Sequence, residues 1–308
     1  MSLKFSIRRR KNLPTGFAEL PDSYDDPFTS RDSWADLLLI HGLTGTPNEM
    51  RFLSLYLGKR GYACVRPRLA NHGAPIEILQ RTKWQDCYES VRREFLKIRA
   101  RQTGRPIIAS GLSMGSLLAL ALACEFPDDL AGVSCLAPTL FYDGWNVPWQ
   151  RHLLPLAQMS PLKHFFYFKE EPPYGIKDEE VRERVHQYYE NATLDDLKQV
   201  ARYGYPFFPV SLLCELNSLV KFLIPRLPSI HMPIQLVQAK DDDMTSIRNS
   251  QFIYDRISSE TKEIVLLEDS YHVVAADQER ETVAERMDEF FRKTLDQSKV
   301  PDWELEYA

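Results

Sequence analysis

The feature that most constrains this chain is an alternation of short, continuous apolar runs with stretches of helical spacing. Residues 36–42 (DLLLIHG), 63–69, 105–111 (RPIIASG) and 130–137 are such runs, as are 233–239 (PIQLVQA) and 263–267. A run apolar at every position has no solvent face, so as a strand it must be covered on both sides, which points to a mostly parallel sheet. The stretches between supply the cover. Thr46 and Pro47 are placed to cap and open a helix reaching about Arg60. Within 82–100, Trp84, Cys87, Tyr88, Val91, Phe95 and Ile98 recur at helical spacing. Residues 114–126 read as a small-residue apolar helix ended by Pro127, and 247–257 and 276–295 as two later helices.

The alternation breaks between 139 and 232. This region is rich in proline, aromatics and charge, with helix-like stretches near 179–190, 194–203 and 209–222. The expected organisation is a core made of 1–138 and 233–308, with 139–232 inserted as a helical cap. The aromatic block 203–210 (YGYPFFPV) and the stripe Leu212, Leu213, Leu216, Leu219 and Val220 have two readings: the wall of an acyl tunnel, or a small core internal to the cap. Residues 1–35 and the tail from 297 carry no readable pattern.

Composition narrows the function classes. Among 308 residues, 44% are apolar and 26% charged, and the net charge is −5. That is a soluble globular composition without the basic face nucleic acid requires. The basic start (Met1 to Arg10) lacks a following apolar run of signal-peptide length, and no stretch approaches the ~20 apolar residues of a membrane span. Five scattered cysteines without Cys-x-x-Cys spacing read as free thiols of a reducing compartment, hence the cytoplasm. No Gly-x-Gly-x-x-Gly follows a strand, so no dinucleotide cofactor is expected. The Asp241–Asp243 run has no further ligand at a recognisable metal spacing, so no metal is expected either.

The chemistry-bearing motif is Gly111-Leu112-Ser113-Met114-Gly115, lying between a strand and a helix. In that setting a Gly-x-Ser-x-Gly turn is so tight that the serine is strained and its hydroxyl projects from the carboxyl end of the sheet. Gly111 and Gly115 remove side chains that would collide with the neighbouring strand and helix. His41-Gly42-Leu43-Thr44-Gly45 follows an earlier strand, and Gly42 lets its backbone approach closely. A tetrahedral intermediate needs two N–H donors, and the Leu43 and Met114 amides are the candidates. His41 is expected to brace this loop.

A serine of this kind needs a base and an acid, in the chain order Ser, Asp or Glu, His. His72, His152, His164, His186 and His231 lie in loops or the expected cap. His272 follows the last strand and emerges at the same sheet edge as Ser113. The acid should follow 233–239, where Asp241, Asp242 and Asp243 compete. Asp242 is the choice, with Asp241 next; Asp269 is expected to cap or orient the His272 loop.

The segments 38–47 (LLLIHGLTGTP), 111–115 (GLSMG), 238–244 (QAKDDDM) and 269–279 (DSYHVVAADQE) resemble the carboxylesterase and monoacylglycerol-lipase branch of the α/β-hydrolases. The resemblance implies that fold, esterase chemistry and a Ser113–Asp242–His272 triad, the acid falling on Asp242 through an Ala-x-x-Asp-x-Met block. It covers both core halves and not the cap. The expected partner is a small-molecule acyl ester, medium-chain or monoacylglycerol, and an apolar lid would touch lipid surfaces transiently. A thioesterase on the same triad is the alternative, and a non-catalytic binding protein of this fold a third reading. The oligomeric state is not readable from these residues.

Overall fold

The computed structural model describes residues 2–5, 21–25, 33–147, 149, 160–191, 199–200, 202 and 204–295. The strands in chain order are β1 (Ser2–Phe5), β2 (Ser23–Asp25), β3 (Ala35–Ile40), β4 (Tyr62–Pro67), β5 (Ile107–Leu112), β6 (Gly132–Leu136), β7 (Phe166–Lys169), β8 (Phe207–Pro209), β9 (Ile234–Ala239) and β10 (Lys262–Leu267). The helices are α1 (Arg51–Lys59), α2 (Ile76–Leu79), α3 (Trp84–Ala100), α4 (Met114–Glu125), α5 (Glu179–Asn191), α6 (Val210–Leu223), α7 (Arg248–Tyr254) and α8 (Arg280–Thr294).

Seven strands form the main sheet in the order β10-β9-β6-β5-β3-β4-β2, all parallel except β2, which runs antiparallel to β4. β3 through β6 and β9 are buried along their whole length, as uniformly apolar runs demand. Alternate residues supply two separate cores. Leu38 and Ile40 of β3 join α3, α4 and α6 on one face, while Leu37 and Leu39 join α1 and α8 on the other.

α4 explains why the inserted region packs where it does. Its sequence, MGSLLALALACE, is apolar all the way round, so one covered side is not enough. The sheet covers one side, and α6 lies across another. The leucine stripe of α6 therefore belongs to the main core, with Leu212, Leu216, Leu219 and Leu223 joined to Leu117 through Leu122. It is not a core internal to the cap.

Two further differences from expectation concern strands. The region between β6 and β9 is not purely helical, because β7 and β8 form a small antiparallel sheet with β1. Both carry consecutive phenylalanines or tyrosines, residues that favour the pleated surface. β1 and β2 lie in the unassigned first 35 residues; each is short and pairs with a chain-distant partner, so no local periodicity marks it. Most of the helix expected over 194–203 lies outside the described residues. No helix among the described residues is long and apolar enough to cross a membrane.

Candidate active site

The chain leaves β3 toward β4 on one side of the sheet and leaves β5 toward β6 on the other. Parallel sheets open a crevice at such a reversal, beyond the carboxyl ends of the two strands. Ser113 closes β5 there with φ 57° and ψ −116°, a left-handed conformation costly for a residue with a β-carbon. Its N–H donates to the Leu136 carbonyl at 2.8 Å, pinning the turn to β6. The flanking glycines are required by approach. A β-carbon at Gly111 would fall 2.2 Å from the Gly115 backbone, and one at Gly115 would fall 2.3 Å from the Ile40 carbonyl oxygen.

The loop after β3 runs beside this elbow; a β-carbon on Gly42 would stand 3.6 Å from Ser113 Cβ. Its peptide planes are held one by one. His41 Nε2 accepts from the Leu69 N–H at 3.2 Å, so its proton sits on Nδ1, which donates to the Gly42 carbonyl at 2.9 Å. That carbonyl shares its plane with the Leu43 N–H. His72 Nε2 reaches the Leu43 carbonyl at 2.7 Å, and the Tyr205 N–H donates to the Thr44 carbonyl at 2.9 Å. Burial holds His41 well below the ordinary histidine range, and His72 is lowered for the same reason. Both rings act as braces.

His272 lies in the loop between β10 and α8, almost fully buried. Its Nδ1 is 3.0 Å from Asp242 Oδ2 and 3.1 Å from Oδ1. Asp242 has further donors on both oxygens. Met244 and Thr245 N–H reach Oδ1 at 2.9 and 2.8 Å, while Gln238 Nε2 and Thr245 Oγ1 reach Oδ2 at 2.7 and 3.0 Å. Burial by itself would depress the imidazole's pKa, but the charge and hydrogen bond of Asp242, with Asp243 and Glu49 behind, outweigh it and hold the ring above its ordinary value. Asp241 is exposed and faces Lys177 at 3.5 Å. Asp243 is buried and accepts from the His272 backbone N–H at 3.4 Å. Asp269 is exposed and pairs with Lys177 at 3.0 Å.

The structure thus joins Asp242 to His272. The Ser113 hydroxyl is turned elsewhere: among the described residues its partner is Thr139 Oγ1, at 2.9 Å. Thr139 went unremarked in the sequence because nothing local distinguishes a threonine after β6. So did Glu49, whose Oε2 accepts from the Gly42 N–H at 2.9 Å and whose carboxyl lies against Gly45. Burial pushes Glu49 up to about 7, and Glu170 at the end of β7 up to about 8, the latter helped by the charges of Asp243 and Glu49. Both carboxyls interact electrostatically with His272. The one available signal was Glu49's spacing, four residues past Gly45.

A model of the family described as serine aminopeptidase, S33, matches residues 32–279. The chain belongs to the S33 serine aminopeptidase family. Among its relatives, a carboxylesterase of Bacillus subtilis (strain 168) is 28% identical over 269 residues, 87% of this chain and 96% of that protein. A thermostable monoacylglycerol lipase of Bacillus sp. (strain H-257) is 30% identical over 268 residues, covering 87% of this chain and 94% of the lipase. A soluble variant of monoglyceride lipase from Saccharomyces cerevisiae has a similar fold at a TM-score of 0.71, with 16% identity and coverage of 95% and 99%. The architecture of this S33 member is the α/β-hydrolase fold.

Proposed function

We propose that the chain hydrolyses carboxylic esters through an acyl-enzyme, with Ser113 as nucleophile, His272 as base and Asp242 as its acid. The observation that carries this reading is the buried His272–Asp242 contact at the sheet edge where Ser113 is held at φ 57°. On this reading the Ser113 hydroxyl leaves Thr139 for His272 Nε2 as substrate is attacked. As Oγ attacks the ester carbonyl, its proton passes to Nε2 and the carbonyl electron pair becomes an oxyanion, held by the Leu43 and Met114 N–H groups. Collapse expels the alcohol, which takes the proton from the imidazolium. Water, deprotonated by the same imidazole, then attacks the acyl-enzyme; the acyl–Oγ bond breaks, Ser113 Oγ takes the proton back from the imidazolium, and the acid is released. Asp242, held by Met244, Thr245 and Gln238, stabilises the charged ring without taking its proton.

The names of the two relatives, a carboxylesterase and a monoacylglycerol lipase, support carboxylic esters and monoacylglycerols as the substrate class, and within it we propose medium acyl chains. Trp145 and Trp149, 61% and 69% exposed on the segment leaving β6, support transient contact with a lipid surface. All five cysteines carry reduced thiols, which supports a reducing, cytoplasmic location. The test is hydrolysis of a p-nitrophenyl ester series by purified wild type and Ser113→Ala. Wild type should prefer medium over acetyl chains, and the variant should lose many powers of ten in rate together with fluorophosphonate labelling. Retained activity in the variant overturns the assignment.

A further inference from the structure

The loop carrying His272 is fastened to the region between β6 and β9 on both sides of the histidine. Val273, which follows it, donates its N–H to the Gly175 carbonyl at 2.8 Å. Tyr271, which precedes it, donates its N–H to Asp277 Oδ2 at 2.7 Å. Asp277 is fully buried, and the same carboxylate takes the Lys177 N–H at 3.0 and 2.9 Å, the Asp178 N–H at 2.8 Å and the Gln278 N–H at 2.9 Å. The His272 N–H is directed at Asp243, so the amides of 271, 272 and 273 each have a partner from a different segment. Close packing reinforces the join. Gly175 has φ +71°, and a β-carbon there would stand 2.9 Å from Val273 Cγ2 and 3.2 Å from His272 Cβ.

We infer that Asp277 is a positioning residue for the base: its carboxylate clamps the segment 175–178 to the His272 loop, making that segment a fixed mounting rather than a gate that opens during turnover. The reason is geometric. An imidazole that must meet Asp242 through one nitrogen and the nucleophile through the other loses about 10²-fold in rate for roughly 1 Å of displacement. The peptide group after His272 takes its direction from the Gly175 carbonyl, and the one before Tyr271 from the carboxylate that also holds the Lys177 and Asp178 amides, so lifting this segment would move the ring. An open-and-close motion that admits substrate therefore has to occur elsewhere.

This inference rests on the proposed role of His272, and the experiment separates the two. Asp277→Asn keeps the volume but puts an amide nitrogen where backbone N–H groups need an acceptor. Well below its melting temperature it should lower kcat about 10- to 100-fold, with KM little changed and the loss equal for short and medium acyl chains. Fluorophosphonate labelling of Ser113 should slow by the same factor, with a displaced acid limb in its pH profile. Gly175→Ala, whose added β-carbon would press on Val273 Cγ2 and His272 Cβ, should slow labelling in the same way with KM little changed, and it carries the test of the mounting if Asp277→Asn does not fold. Wild-type labelling rates and pH profile in a folded variant, or an effect confined to KM, overturn the inference. If Ser113→Ala remains active, the reading of the site fails instead.

Discussion

Ser113 Oγ stands 2.9 Å from Thr139 Oγ1, and Thr139 in turn donates to the Ala137 carbonyl at 3.3 Å. Either hydroxyl can be the donor between the two; when the threonine proton lies on the Ala137 carbonyl, the serine hydroxyl donates to Thr139. Thr139 is held in place because the Leu140 and Phe141 amides both donate to Asn249 Oδ1, at 2.8 and 2.7 Å.

On the proposed mechanism the bond to Thr139 competes with attack by Ser113. Thr139→Val keeps the shape and removes the acceptor, so the serine should reach His272 more often. A neutral hydrogen bond contributes about 0.5–1.5 kcal/mol, so fluorophosphonate labelling should accelerate roughly two- to tenfold. An unchanged or slower rate would show that the threonine does not restrain the nucleophile.

Asp242→Asn should separate charge from volume. His272 must be neutral to act as base, and it is held above its ordinary value, so activity in the wild type should rise with pH through a point above 6.5. Without the carboxylate charge the acid limb should move to lower pH, and kcat should fall on the order of 10³- to 10⁴-fold, because the ring loses both its tautomer and its counter-charge. Asp241→Asn, at an exposed side chain facing Lys177, should stay within about twofold of wild type. A pH series of kcat/KM on the three proteins checks both statements.

Glu49 makes stability depend on pH in the direction opposite to that of an ordinary ion-paired carboxylate. Its pKa is raised by burial from 4.5 to about 7, so between those values the unfolded chain releases a proton that the folded chain keeps. The unfolded state then binds fewer protons, and stability falls as pH rises from about 4.5 to about 7. Glu49→Gln keeps an acceptor for the Gly42 N–H and removes the titration. Urea denaturation at pH 5 and pH 8 should show the variant gaining on the wild type by on the order of 2–3 kcal/mol at the higher pH. A gap that does not change with pH would mean the carboxyl ionises as freely folded as unfolded.

The parts of the site readable in sequence are those whose demands are local. A strand buried on both faces must be apolar at every position, and a turn that brings Gly111 and Gly115 into backbone contact admits no other residue at either place. The elbow, its strand and its helix could therefore be read from the residues. Three consecutive aspartates after β9 present the same chemistry to a reader of sequence. Their different fates, Asp241 toward Lys177, Asp242 into a basket of donors and Asp243 toward a backbone amide, follow from how the chain turns after Ala239.

By itself, then, the order of residues determined the α/β layering, the elbow at Ser113 and the loops that carry His272 and Asp242, because periodicity and steric exclusion act over a few neighbouring positions. Tertiary structure alone decided what those groups touch. The Thr139 hydroxyl on Ser113, the Lys177 and Asp178 amides on Asp277 and the seating of α6 against α4 each join residues far apart along the chain. Such contacts depend on how layers pack and which way loops turn, and folding brings them together with no mark in any short stretch of sequence.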